Sequence, residues 1–141
     1  MRVSVVQMQI QMENKKANLA HAKDLIERAC LDSPDIILLP ETFNVGFFPA
    51  EPAPLADVME HGESWILLSN LAKKHKVNIV GGSVVRLGPE GQVFNTMYIF
   101  DRQGQEVAMY DKIHLFSPSG EKKVFEAGNK PCCFELDNKL M

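Results

Sequence analysis

The apolar residues of this chain repeat with two different periods, and these periods predict strands and helices in alternation. Residues 2–9 carry β-branched side chains at alternate positions, which predicts a first strand. Behind Asn14, a typical helix-capping residue, residues 15–31 place apolar side chains every three or four positions, which predicts a helix. Residues 36–39 are apolar throughout, as in a strand that is covered on both faces. The first third of the chain therefore predicts a β-α-β unit.

The middle of the chain predicts a long loop followed by a second helix and strand. Residues 42–60 contain several prolines but remain apolar, so we expect this loop to line or cover another part of the protein. Residues 63–76 have one apolar face and predict a helix, and residues 77–85 predict a single strand. The chain thus continues the alternation of helix and strand.

The last third predicts two hairpins. Residues 93–100 and 106–110 form an antiparallel pair around a turn at residues 101–104. Residues 132–136 predict a strand, followed by a tight turn and the start of a partner strand at residues 139–141. Two β-α units followed by a hairpin predict a mixed sheet of the α/β class, with helices on at least one face. Because the final strand stops at the last residue, the sequence favours a chain truncated within its domain.

The composition fits one globular domain and narrows the classes of partner. The 141 residues are 45% hydrophobic and 23% charged, which is enough for one core and too few for two. A net charge of −3 gives no reason to expect nucleic acid or an anionic membrane as partner. No apolar run approaches the roughly 20 residues of a membrane span, and the first residues do not resemble a signal peptide. Three cysteines, two of them adjacent, make a poor disulfide framework, so a reducing, cytoplasmic location is expected.

Glu41 is the first candidate for chemistry. It directly follows the apolar run that ends in Pro40, so it lies at the carboxyl end of a buried strand, where α/β sheets place their ligands. Proline ends the strand and fixes the direction of the next residue. A carboxylate there is suited to act as a general base. The alternative is a charged strand terminus that simply reaches solvent.

Lys112 is the second candidate. It follows the strand expected at residues 106–110, and apolar residues come directly after it. An ammonium that points inward beside Glu41 would stabilise an oxyanion developing at a carbonyl group. A surface lysine at a strand end is the alternative. If the two side chains meet and a nucleophile joins them, the group can perform acyl transfer.

Other reactive residues favour structural roles. His114 has no metal-ligand spacing to another histidine and no recognisable acidic partner, so a structural histidine is favoured. Cys132 and Cys133 fall in an apolar strand, and buried cysteines are normally inert. Gly81-Gly82 matches no phosphate-binding loop, and close packing of the backbone explains it better.

Several short motifs follow one another along the chain. They are Val6-Gln7-Met8, Leu38-Leu39-Pro40-Glu41, Gly81-Gly82-Ser83, Asn95-Thr96, the Tyr110-Asp111-Lys112-Ile113-His114-Leu115-Phe116 segment and Phe125-Glu126-Ala127-Gly128. In this order and spacing they resemble the nitrilase superfamily of carbon–nitrogen hydrolases. The resemblance covers essentially all 141 residues. It implies an α-β-β-α sandwich, of which residues 1–141 are only the N-terminal half of a single domain.

The resemblance also implies a Glu-Lys-Cys triad that acts through a thioester, without a metal or organic cofactor. It places the catalytic glutamate at Glu41 and the lysine at Lys112. A second glutamate, which orients lysine and substrate, best matches Glu121, with Glu126 as a near competitor. The cysteine would follow the last strand of this chain and is absent from it, so the 141 residues alone are expected to be inactive.

The substrate class is less sharply specified. Residues 41–47 are similar to the corresponding segment of ω-amidase-like members, which implies small-molecule monoamides of short dicarboxylates as substrates. Hydrolysis of N-carbamoyl amines, other aliphatic amides or nitriles is an alternative. Family membership also implies a homodimer or larger homo-oligomer. A non-catalytic fragment that serves as a binding or assembly module is the alternative from a different functional class.

Overall fold

The computed structural model describes residues 1–47, 49, 51–58 and 62–141. Within this part of the chain, two α-helices accompany nine strands. The helices are α1 (Lys15–Ala29) and α2 (Glu63–His75). The strands are β1 (Val3–Val5), β2 (Ile36–Leu38), β3 (Asp57–Val58), β4 (Asn78–Val80), β5 (Val84–Leu87), β6 (Val93–Phe100), β7 (Glu106–Asp111), β8 (Glu135–Leu136) and β9 (Lys139–Leu140).

Seven of the described strands form one mixed sheet, which confirms the predicted α/β class. The strand order is β1-β2-β4-β6-β5-β3, with β7 also paired to β6. The first three strands of this order run parallel, whereas β6 is antiparallel to β4, β5 and β7. The first strand is shorter than expected, because it pairs only with β2 and that partner ends at Leu38.

Both helices cover one face of the sheet. The Asn14 side chain accepts a hydrogen bond from the Ala17 N–H and caps α1, as the sequence predicts. Ala22 and Ile26 of α1 and Leu68 of α2 are fully buried in the core that forms between the helices and the sheet. Burial of apolar surface on this side holds the two helices in place.

The opposite face carries a smaller apolar cluster. Ile36 and Ile99 of the sheet pack there against Leu136, so the β8–β9 hairpin covers part of this face. The predicted hairpin is therefore present, with strands shorter than residues 132–136. Arg102 fastens the hairpin by an ion pair to Asp137 of 2.6 Å.

The prediction of a single strand over residues 77–85 is wrong. Residues 77–85 form two strands, β4 and β5, which pair with successive stretches of β6. The break occurs at Gly82, which has a φ of +56°, a conformation that favours glycine. A Cβ at Gly82 would lie 2.0 Å from the Pro40 carbonyl oxygen. The expected close backbone packing is confirmed. The chain that leaves β2 packs into the break between β4 and β5.

Candidate active site

Glu41 leaves the sheet at the end of β2 because the local backbone turns there. Pro40 removes a ladder donor, and Thr42 takes a left-handed conformation with a φ of +46°. The Thr42 N–H donates to Oγ of Ser83 at 2.9 Å, and the Phe43 N–H donates to the Ser83 carbonyl oxygen at 3.1 Å. The break between β4 and β5 thus anchors the turn that carries Glu41.

Lys112 follows β7 directly and lies beside β6. Its backbone N–H donates to the Asn95 carbonyl oxygen at 2.9 Å. On its other side, the Lys112 carbonyl oxygen accepts from the Gly128 N–H at 2.9 Å. A Cβ at Gly128 would lie 2.1 Å from the Asp111 carbonyl oxygen, so only glycine fits this approach. The backbone of Lys112 is therefore held from both sides.

Glu121 is the most deeply buried acid of the group. It begins a short 3₁₀ helix at Glu121–Lys123, and its side chain has no exposed surface. One carboxylate oxygen accepts from the Phe116 N–H, and the carboxylate also binds Lys112 and Asn95. The competing candidate, Glu126, is exposed. The geometry therefore favours Glu121 over Glu126 as the second glutamate.

These side chains form one connected cluster. Lys112 Nζ lies 2.8 Å from Glu41 Oε1 and 3.0 Å from Glu121 Oε1. Asn95 Nδ2 bridges the same two oxygens at 2.8 Å and 3.2 Å respectively. The structure thus brings together all three residues predicted from the sequence and adds Asn95 as a second donor between the carboxylates.

The hydrogen bonds in the cluster favour the charged forms of Lys112 and Glu121. Burial disfavours the Lys112 ammonium, but the hydrogen bonds that it donates to Glu41 and Glu121 outweigh burial and raise the pKa of Lys112 above its ordinary value. Burial likewise disfavours the Glu121 carboxylate, but the donors Phe116 N–H, Lys112 and Asn95 outweigh it and lower the pKa of Glu121. Lys112 is therefore a fixed cation near neutral pH, and Glu121 is a fixed anion.

A cleft of about 300 Å³ opens beside the cluster, on the sheet face opposite the helices. Glu41 Oε2 has no hydrogen-bond partner among the described residues, and its side chain is 44% exposed. Lys112 has three N–H donors and gives only two to the glutamates. Glu41 Oε2 is therefore available at the cleft as a proton acceptor, which general-base catalysis requires. One N–H of Lys112 is available there as a donor, which oxyanion stabilisation requires. The cleft is lined by Leu38, Glu41, Gly82, Ser83, Asn95, Met97, Tyr110 and Lys112.

The other reactive residues lie outside this cleft. His114 is exposed and does not line the cleft. The expectation that both cysteines are buried is wrong. Cys133 is exposed and Cys132 is half-buried, because the strand at this end covers only Glu135–Leu136. Partial burial raises the pKa of the Cys132 thiol, which disfavours its thiolate.

Sequence reasoning gave no role to Asn95, Ser83 or Tyr110. Asn95 appeared only within a motif, although its position on the strand next to Lys112 was a usable signal. Tyr110 lines the cleft, and its hydroxyl oxygen accepts from the Ile113 N–H at 3.2 Å.

Within the described ranges, no cluster of three or more His, Cys, Asp or Glu side chains is arranged to hold a metal, and no helix is long and apolar enough to cross a membrane.

The fold and the cluster agree with comparisons to known proteins. A model of the carbon–nitrogen hydrolase family matches residues 2–138, so the chain belongs to the carbon–nitrogen hydrolase family. Among curated relatives, the 2-oxoglutaramate amidase of Bacillus subtilis is 38% identical over 96% of this chain and 51% of its own length. An omega-amidase of Saccharomyces cerevisiae is 34% identical over 92% of this chain and 49% of its own length. The chain therefore spans about half the length of these relatives.

Solved structures place the fold in the nitrilase superfamily. The crystal structure of Nit3 from Saccharomyces cerevisiae, a member of branch 10 of that superfamily, matches with a TM-score of 0.90 and 29% identity. The match covers 99% of this chain and 53% of the yeast chain. A CN-hydrolase superfamily protein from Xanthomonas campestris matches with a TM-score of 0.88 and 27% identity, over 99% of this chain and 50% of its own. The fold class implied by the sequence motifs is confirmed.

Proposed function

We propose that this chain supplies the glutamates and the lysine of an active site that hydrolyses an aliphatic amide to an acid and ammonia. The observation that carries the proposal is the position of Lys112 between Glu41 and Glu121 at the edge of a cleft. Residues 1–141 would form the N-terminal part of one carbon–nitrogen hydrolase domain. The remainder of the domain would supply a nucleophilic cysteine.

The proposed reaction assigns one task to each charged residue. Glu41 accepts the proton of the cysteine thiol, and the thiolate attacks the amide carbonyl carbon. The third N–H of Lys112 stabilises the oxyanion, while Glu121 keeps the ammonium in place. Glu41 then passes this proton to the amide nitrogen, the carbon–nitrogen bond breaks, ammonia leaves, and a thioester remains on the cysteine. Water, deprotonated by the same carboxylate, hydrolyses the thioester and releases the acid. No metal or organic cofactor takes part.

For the substrate, we propose a monoamide of a short dicarboxylic acid. Two relatives at 38% and 34% identity are named as a 2-oxoglutaramate amidase and an omega-amidase, which supports this class. The small cleft suits a short chain, and its apolar residues Leu38 and Met97 suit methylene groups. The homo-oligomeric state and the cytoplasmic location expected from the sequence stay predictions.

The test uses Glu41→Gln in the protein expressed from its complete coding sequence. Glutamine keeps the shape of the side chain but cannot accept a thiol proton. We expect kcat for ammonia release from 2-oxoglutaramate to fall at least about 10²-fold, the scale of a lost general base. Glu51→Gln, which changes an exposed glutamate, is the matched control and should keep normal turnover.

Each outcome of this assay decides a separate point. Near-normal turnover by Glu41→Gln would remove Glu41 from the mechanism. An unmodified protein that hydrolyses an N-carbamoyl amine but no monoamide would keep the catalytic assignment and change the substrate class. An unmodified protein that hydrolyses neither would favour a binding or assembly role.

A further inference from the structure

A second polar cluster lies directly behind the candidate site, and the proposed reaction uses none of its residues. It consists of Arg86 from β5, Thr96 from β6 and Asp111 from the end of β7. Nη2 of Arg86 donates to both oxygens of the Asp111 carboxylate at 2.9 Å each. Nε of Arg86 donates to Oγ1 of Thr96 at 3.0 Å, and that hydroxyl donates to Asp111 Oδ1 at 2.6 Å. The three side chains therefore close a ring of hydrogen bonds.

Two members of this ring are buried, whereas the Asp111 side chain is 22% exposed. Thr96 has no exposed surface, and Arg86 is 7% exposed. The guanidinium carbon of Arg86 also lies 4.9 Å from the centre of the Phe94 ring, which covers the cation. Charge-assisted hydrogen bonds in such surroundings are strong and directional. The ring is therefore suited to hold three strands in one fixed relation.

The strand register connects this ring to the candidate site. Thr96 pairs with Asp111 across β6 and β7, which places Asn95 beside Lys112. Successive residues of a strand point to opposite faces. Asn95 and Lys112 therefore face the cleft, whereas their chain neighbours Thr96 and Asp111 face the helix side of the sheet. The ring therefore fixes the backbone next to Asn95 and next to Lys112, whose side chains project into the cleft.

We propose that Arg86, Thr96 and Asp111 form a positioning network, which sets the ends of β6 and β7 so that Lys112 and Asn95 meet the two carboxylates. They are positioning residues because none of the three lines the cleft. The inference rests on the proposed function of the Glu41–Lys112–Glu121 cluster and extends it to the other face of the sheet. A displacement of about 1 Å at a reacting group is enough to cost about 10²-fold in rate.

A purely stabilising role is the competing explanation, and the chain offers a matched control for it. Asp57 is also buried and forms an ion pair with Lys15, but this pair lies between the two helices, away from the cleft. Breaking either pair should destabilise the fold. Only the network behind the cleft should also change catalysis beyond what the loss of stability explains.

The decisive variants are Thr96→Val and Thr96→Ser, in the protein expressed from its complete coding sequence. Valine has a similar shape but lacks the hydroxyl that joins Arg86 to Asp111. We expect Thr96→Val to lower kcat for 2-oxoglutaramate about 10- to 100-fold, with KM changed less than about threefold. Serine restores the hydroxyl and should bring kcat within about threefold of the unmodified protein. Rates are measured well below the melting temperature of each variant.

A second readout does not depend on turnover. The pKa of Lys112, followed by NMR of ¹⁵N-labelled lysine, should fall in Thr96→Val because the ammonium moves away from its carboxylates. In Asp57→Asn it should stay where it is, although the melting temperature falls. Should Thr96→Val fail to fold, Asp111→Asn gives the same two readouts, because asparagine has nearly the shape of aspartate.

The outcomes separate this inference from the proposed function. If Thr96→Val and Asp111→Asn lose stability but keep kcat and the pKa of Lys112, as expected for Asp57→Asn, the positioning role is overturned. If the unmodified protein hydrolyses neither a monoamide nor an N-carbamoyl amine, the proposed function itself fails. Loss of turnover in Glu41→Gln together with normal turnover in Thr96→Val rejects the positioning network alone.

Discussion

Two lysine–carboxylate clusters in this molecule have similar charges but different surroundings. The Lys112 side chain is 26% exposed and binds Glu121, whose side chain is fully buried. The Lys15 side chain is 16% exposed and binds Asp57, whose side chain is also fully buried. Charge and burial alone therefore do not distinguish the candidate site from the Lys15–Asp57 pair.

The difference lies in what the remaining polar atoms face. Asp57 uses one oxygen for Lys15 and the other for the backbone N–H of Ser64 at 2.9 Å, so it joins α1 to the start of α2. In the other cluster, Glu41 keeps one oxygen without a described partner, beside a cleft that Lys112 also lines. A buried ion pair becomes a candidate site where an acceptor and a donor remain directed at open space. Asp57, whose two oxygens face Lys15 and the Ser64 N–H and not a cleft, stabilises the fold instead.

The largest expected effect comes from replacing each lysine with methionine. Lys112→Met removes the oxyanion donor, so kcat of the protein from the complete coding sequence should fall about 10²- to 10³-fold. Lys15→Met should leave kcat within about twofold, but it leaves the buried Asp57 unpaired and should lower the unfolding free energy by about 1–3 kcal/mol. Ammonia release and urea unfolding measure the two quantities. Equal losses of kcat in the two variants would remove the distinction between the clusters.

The next effect separates the two glutamates that compete for one role. Glu121→Gln keeps the side-chain shape but weakens the hold on Lys112, so kcat should fall about 10- to 100-fold. Glu126→Gln changes an exposed carboxylate that lies outside the cleft, and it should leave kcat within about twofold. Steady-state kinetics on both variants provides the comparison. A larger loss in Glu126→Gln would reverse the assignment of the second glutamate.

Much of this arrangement is predictable from the sequence, because the signals are local. Hydrophobic periodicity places both helices, and the Asn14 cap marks the start of the first. The apolar run before Glu41 predicts a buried strand with an acid at its carboxyl end. Resemblance to a known family then joins Glu41, Lys112 and Glu121, which are far apart in the chain. Periodicity alone contains no information on that pairing.

The face on which Lys112 lies depends on an irregularity that no local pattern shows. Phe100 pairs with Glu106, but Ile99 pairs with Ala108, so one residue is added between them. Without this bulge, the pairing that starts at the turn would place Asp111 rather than Lys112 opposite Asn95. A shift of one residue also moves each side chain of the strand to the other face of the sheet. The bulge therefore brings Lys112 to the cleft.

The break at Gly82 was also unpredictable, for a different reason. Residues 77–85 are rich in β-branched side chains and satisfy the pattern of one continuous strand. The strand breaks because the Pro40 carbonyl oxygen approaches to a distance that excludes any Cβ at Gly82. Such a contact involves two segments that are distant in sequence. Propensity describes each segment separately and misses their approach.

The smallest expected effect concerns the pH dependence of stability. The pKa of Glu121 is lowered in the folded protein, so its contribution to stability is complete above its unfolded pKa of about 4.3 and is lost as the pH falls through the folded value. Urea unfolding should therefore show a loss of stability below about pH 5. In Glu121→Gln this group no longer titrates, and the slope should decrease by up to about 1.4 kcal/mol per pH unit.

Lys112 affects the alkaline limb of the same curve of unfolding free energy against pH. Its pKa is raised in the folded protein, so its contribution is complete below its unfolded pKa of about 10.4 and is lost only as the pH rises through the folded value. Lys112→Met should flatten this alkaline limb and, by removing one partner of Glu121, also reduce the acid limb. If Lys112→Met keeps both limbs unchanged, the charges of Lys112 and Glu121 are not coupled in solution, and the contrast between the two clusters would rest on the cleft alone.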